Sequence, residues 1–473
     1  MDTRDLDPDG PDQVADPDRA NQATEEEGAS TPRSVTRRQF VATVAIATGG
    51  AAVGACTSGS MGALGEDAGS ADGATGDAGG ADGGTGGIDA AVGDPDAGVG
   101  SPDGGPGVDA STPPANHIYV ARGGTPVDNV RNAVALAGGI ERYVNADDVV
   151  VLNPNGQWPK QGYTNTESMK ALIDVILERP GGFTGEIIVT EHVQRDPAGT
   201  MLDQYCWNMA PGGNRTNNWP DMNYFELMAD YHARGVPNVT ANPLYDSSSS
   251  SGFRAVSGPA DLAAGEQGWV RTTFTAPSNG RVCRLSHPIL RSSHTDRLID
   301  LKDGVWDGGY TGQRVRVIFL PTLNNHGHHL TEDYAGVTSA VKCHLGIVEF
   351  DGTTGYTMHR VGFEDGHPEA VGESVGHLIT TILSPTFYLT CAEYTGHMGR
   401  TDNRAAHTRT VGLCADPVSL DYWMCKYVML PADPMQTFMN PDGDNNTRRQ
   451  LEGCHSRGVG TLVESEMVVD VMG

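Results

Sequence analysis

The chain has 473 residues and a formal charge of −28, with 60 acidic against 32 basic side chains. Only five of the basic residues are lysines (Lys160, Lys170, Lys302, Lys342, Lys426), so there is no basic stripe to release counterions from a phosphate backbone, and nucleic acid is excluded as a partner. The acidity is uneven: residues 1–115 hold 20 acidic and 5 basic residues, a balance of −15, which leaves −13 for the other 358.

Residues 1–35 are rich in Asp, Glu and Pro and too poor in apolar groups to offset the entropy of ordering them, so disorder is predicted. Then comes Thr36-Arg37-Arg38-Gln39-Phe40-Val41, followed by an apolar stretch of small residues, 42–55, too short to span a bilayer. Paired arginines ahead of a weakly apolar segment resemble the twin-arginine export signal, and Val53-Gly54-Ala55-Cys56 resembles the lipobox at which a bacterial signal is cleaved and its cysteine lipidated. Residues 1–56 therefore predict a leader read by the twin-arginine translocation machinery, with a lipid on Cys56 joining the exported chain to a membrane in the periplasm or at the cell surface.

From Thr57 to Ala115 the chain is mostly Gly, Ala, Asp, Ser, Thr and Pro, with no Lys, Arg or aromatic residue. It predicts a flexible tether with a root-mean-square reach of about 40 Å. Glycine has no three-residue period there, which excludes a collagen-like helix.

Residues 116–473 are long enough to bury a sizeable core. Strands are predicted at 117–122, 147–152, 186–190, 239–241, 314–320, 386–391 and 408–414. Helices are predicted at 127–136, 166–176, 224–232, 337–345, 367–383 and 418–429. Alternating strands and helices imply an α/β fold with a mostly parallel sheet and flanking helices. Residues 246–280, with five consecutive serines, have weak periodicity and read as an insertion or a small antiparallel element.

Four segments, in order, are Val149-Val150-Val151-Leu152-Asn153-Pro154-Asn155, Leu320-Pro321-Thr322-Leu323-Asn324-Asn325-His326, Thr338-Ser339-Ala340-Val341-Lys342-Cys343-His344-Leu345-Gly346 and Asp416-Pro417-Val418-Ser419-Leu420-Asp421. Together they resemble the domain of unknown function 362 family over about residues 148–430. The resemblance implies a fold and a region of interest but no reaction. The chain departs from the family pattern where lysine is common, at Asn153, Thr322 and Asn324, and where asparagine is common, at Cys343. Some members carry a ferredoxin-like segment; the seven cysteines after Cys56 include no C-x-x-C pair, which argues against an iron–sulfur cluster of that type. No other cofactor or metal is specified by the sequence.

His326, His328 and His329 follow a buried strand, where α/β folds bind ligands, and either a metal or general-base role or local hydrogen bonding accounts for them. Lys342 reads as a ligand for a carboxylate, phosphate or carbonyl, or as a lysine with a buried stem. Asp416 precedes Pro417 and reads as a site carboxylate or as a helix cap. Asp421, inside the same helix, needs a partner if buried. Catalytic roles are thus expected at His326, Lys342 and Asp416, and ligand contacts at Asn155 and Asp421. Asp442-Gly443-Asp444-Asn445-Asn446 lacks the glycine and glutamate of a calcium loop at its sixth and twelfth positions. Neither a phosphate loop nor a nucleophile elbow is present, so NTP and serine hydrolysis are disfavoured. Two functions remain open: an enzyme acting on a small anionic or carbonyl compound, and a non-catalytic ligand-binding or structural lipoprotein of the envelope.

Overall fold

Runs of consecutive apolar residues such as Val149–Leu152 cannot be half-solvated, and they form strands covered on both faces. The computed structural model describes residues 115–156, 162–191, 222–242, 253–325, 336–350, 366–396, 405–433 and 439–473. The twin-arginine segment, Cys56, the tether and the His326–His329 loop lie outside them.

Eight strands form the main sheet: β1 (His117–Arg122), β2 (Val149–Pro154), β3 (Glu186–Val189), β4 (Val239–Ala241), β10 (Val315–Leu320), β14 (Phe387–Thr395), β15 (Ala406–Cys414) and β16 (Val468–Met472). Their spatial order is β16-β1-β15-β14-β10-β2-β3-β4. Only β15 runs against the others, pairing antiparallel with β1 and β14. The expected α/β class with a mostly parallel sheet is what the chain forms.

Alternate residues of the strands feed two cores. Val150, Leu152, Ile187 and Val189 pack with α1 (Pro126–Leu136), α2 (Thr166–Leu177) and α3 (Tyr224–Ala233). Val149, Val151, Ile188 and Phe319 pack on the other face with α4 (Pro368–Thr381), α5 (Pro417–Met424), α6 (Asn446–His455) and a second sheet. That sheet, β5 (Phe253–Val256), β6 (Gln267–Thr275), β7 (Val282–Arg291), β8 (Leu298–Asp300) and β9 (Gly304–Trp306), is joined through β7 by β13 (Val348–Phe350). The expected insertion is thus a mostly antiparallel sheet, and it reaches residue 306 rather than 280. Among the described residues no helix is long and apolar enough to cross a membrane.

Asn165 caps α2, accepting from the Ser168 amide at 2.9 Å. Two local expectations are corrected. Residues 337–345 are not a helix: β12 (Val337–Thr338) pairs with β11 (Asn324–Asn325), and a 3-10 turn follows at Lys342–Ile347. The helix from 417 changes to π geometry over Cys425–Met429.

Asp148 fixes the start of the sheet. Its buried carboxylate receives Arg314 in a two-pronged pair at 3.0 and 2.9 Å and also the Asn145 amide at 2.8 Å, joining the entries to β2 and β10. At the opposite face α4 and α6 approach through glycines. A β-carbon on Gly372 would overlap the Gln450 carbonyl oxygen, and one on Gly453 would overlap the Glu369 carbonyl oxygen. Gly453→Ala is therefore expected to cost about 1–3 kcal/mol through overpacking, read as a lower midpoint of thermal unfolding, whereas an alanine at Gly309, with open space around its β-carbon, should leave the midpoint nearly unchanged.

Candidate functional site

The strands β2 and β10 are parallel neighbours, but their outgoing connections part. β2 leads through α2, on one face, to β3, while β10 leads through α4, on the other face, to β14. Right-handed crossovers to opposite sides leave a crevice beyond the carboxyl ends of such a pair, and this is where open α/β sheets take ligands.

The walls of the crevice are polar and ordered by one another. The Asn155 side-chain carbonyl accepts from the Thr322 amide at 3.1 Å, bridging the end of β2 to the segment after β10. Thr164 receives the Asn155 amide at 2.9 Å and donates to the Leu320 carbonyl. Tyr224, reaching from α3, donates to the carbonyls of Asn155 and Thr164 at 2.9 and 3.0 Å. Asn324 donates to Thr322 at 2.8 Å, and Asn324 and Asn325 are fully buried. Asn155 is thus at the expected strand ends, while His326 lies outside the described residues.

Asp416, Asp421 and Lys342 belong to the start of α5, its interior and the turn after β12. Asp416 caps α5: its oxygens accept from the Val418 and Ser419 amides at 2.8 and 3.1 Å, from the Thr461 amide at 3.3 Å and from the Ser419 hydroxyl. Gly460, with φ of +61°, gives the carboxylate its space. Burial raises the Asp416 pKa, opposed by these donors. Three strand spacings, about 14 Å, separate β15 from β2, so Asp416 and Asn155 do not share a pocket. The cap, one of the two roles open to this residue, is the one seen.

Asp421 is fully buried, and its two oxygens accept from the Ala340 and Val341 amides at 2.8 and 2.9 Å. It thereby holds the turn that begins at Lys342, itself buried to 5% exposure. His344, on the same turn, meets the Tyr388 hydroxyl at 2.9 Å and lies over Phe319 at 4.3 Å between centroids. Lys342 and Asp421 are therefore brought to one region, on the turn that follows β12 and the helix α5 that holds it. Asn445 of the calcium-like segment caps α6, and Asp442 pairs with Lys426 at 2.8 Å. Among the described residues no cluster of three His, Cys, Asp or Glu is placed to hold a metal.

A pair not anticipated from the sequence stands at the end of β14. His407 Nε2 is 2.5 Å from the buried Glu393 carboxylate, and its ring stacks on Tyr394 at 4.5 Å. The β-bulge between Ala392 and Tyr394 aims these side chains, and the imidazole is half-exposed. Glu167, on α2, has its pKa raised by burial and by the Glu393 charge.

Burial pushes the Asp421 carboxyl up to about 7, against the lowering effect of the backbone donors and Ser339. Its folded pKa lies above the ordinary 3.8, so the folded chain holds a proton that the unfolded chain has lost, and the stabilising contribution declines as pH rises through that window. The difference in unfolding free energy between the protein and its Asp421→Asn variant should therefore change between about pH 4 and 7 and level off above it. Urea midpoints measured across pH 4–9 test this; a difference independent of pH would contradict it.

Neither a family model, nor a curated protein, nor a solved structure matches this chain.

Proposed function

We propose that the chain is an exported domain, held at the cell envelope by a lipid on Cys56, that binds a small polar molecule at the carboxyl ends of β2 and β10. The observation carrying the binding reading is the divergence of these adjacent parallel strands toward opposite faces, with Asn153, Asn155, Thr322 and Asn324 at their ends. The Arg37-Arg38 pair and the sequence before Cys56 support the export reading. In the bound state the crevice walls supply hydrogen bonds of fixed direction, because Asn155, Thr164 and Tyr224 already hold one another in place.

A second reading, an enzyme acting on a small anionic or carbonyl compound, is favoured by the Glu393–His407 pair. A half-exposed imidazole oriented by a buried carboxylate at the end of a central strand is suited to move a proton. On that reading His407→Gln abolishes turnover while leaving ligand affinity within a few-fold; equal turnover by the variant removes it.

Two measurements test the main reading. Replacing Arg37 and Arg38 by lysine should leave the uncleaved chain in the cytoplasm, and Cys56→Ala should move the exported protein from the membrane to the soluble fraction. Native mass spectrometry of protein released from the envelope should show a retained small molecule that Asn155→Ala loses. A chain that holds no ligand, and gains none from an envelope extract, overturns the binding function.

A further inference from the structure

The strand ends beside the crevice contain a strip of buried polar groups that the fold leaves unanswered. Asn153, near the end of β2, and Thr190 and Asn242, just after β3 and β4, stand at one level: the Thr190 amide donates to Leu152 and the Asn242 amide to Val189, both at 2.8 Å, continuing the parallel ladders. All three side chains stand on the face that carries Val151 and Ile188, because side chains alternate along a strand. Strand spacing makes the strip about 10 Å long.

The second sheet closes over it. Asn242 donates to the Gln267 side-chain oxygen at 2.6 Å and to the Arg291 carbonyl at 3.2 Å, and the Arg291 amide donates to the same Gln267 oxygen at 2.9 Å. The Gln267 carboxamide is thereby fixed with its nitrogen turned away from these partners. Among the described residues Gln267 Nε2, Thr190 Oγ1 and Asn153 Nδ2 have no hydrogen-bond partner, although the three residues are 0–2% exposed. Each such group costs about 1–3 kcal/mol when left unmet, so three in one seam between two sheets favour an acceptor brought to it from outside the fold.

The chemistry of the seam selects the occupant. Two amide N–H donors and a hydroxyl ask for oxygen acceptors. Trp269, two residues after Gln267 on the same face of β6, adds a buried aromatic surface. Among the described residues the arginine that borders the seam offers it no charge: the Arg291 guanidinium is engaged by Asp296 and by the Glu266 and Ala263 carbonyls. Nor do helix ends supply it, since the first turns of α1, α2 and α3 are taken by their own caps Thr125, Asn165 and Asn223. An oxyanion would be desolvated there without compensation.

We infer that the seam between β2–β4 and β6 binds a neutral, hydroxyl-rich molecule of the monosaccharide or cyclic polyol class, its oxygens accepting from Asn153, Thr190 and Gln267. The inference rests on the reading of the strand ends as a ligand site and names its chemistry.

Saturation-transfer NMR and calorimetric titration of the purified full chain with D-glucose, D-galactose, N-acetyl-D-glucosamine and myo-inositol test it, with D-glucuronate and inorganic phosphate as anionic probes. At least one neutral probe should bind saturably and the anions should not. Thr190→Val should weaken that probe about tenfold and leave the unfolding midpoint of the ligand-free protein unchanged or higher, because it removes a hydroxyl that the fold does not use. Asn153→Leu should weaken it similarly. Binding of the anions alone, binding of no probe, or a ligand-free Thr190→Val protein that melts lower would each overturn the inference. Loss of the neutral-ligand chemistry leaves the crevice itself to be judged by the molecule retained from the envelope.

Discussion

The arrangement of the strand ends follows from a handedness constraint. A parallel connection folds back onto its sheet with a right-handed crossover, so a helix placed on one face commits the next strand to one direction. α2 and α3 carry the chain from β2 to β3 to β4, and α4 carries it from β10 to β14 the opposite way. The two series meet at β2 and β10.

A contrasting logic governs the buried acids of α5. Asp416 and Asp421 are both enclosed, yet each spends its oxygens on backbone amides: one on the first turn of its own helix, the other on the turn before Lys342. Removing either carboxylate would strand amides without acceptors, which costs more than the net worth of the bonds. Their raised pKa values accordingly report enclosure, and the geometry assigns them to architecture.

Much of the parallel half of the sheet was legible from local sequence, since doubly covered strands such as Val149–Leu152 and Ile187–Val189 must read as unbroken apolar runs. The second sheet was poorly legible because its strands mix exposed and buried positions, as in the run from Gln267 to Thr275. Helical periodicity at 337–345 was overridden by a tertiary contact: Asp421, eighty residues away, captures the amides that begin a tighter turn. For the site, Asn155 stood out through its place after an apolar strand, and Asp416 before Pro417 already had the form of a cap. The Glu393–His407 pair depends on a bulge, and the strip from Asn153 to Gln267 depends on register between four strands. Neither leaves a mark in any one segment.

The six cysteines among the described residues, Cys283, Cys343, Cys391, Cys414, Cys425 and Cys454, are all buried. For five of them burial raises the pKa well above the ordinary thiol value or to about 12, so that little thiolate is available to an oxidant. The packing around these five thiols therefore owes nothing to cross-linking, and it can form in a reducing compartment and persist in an oxidising one.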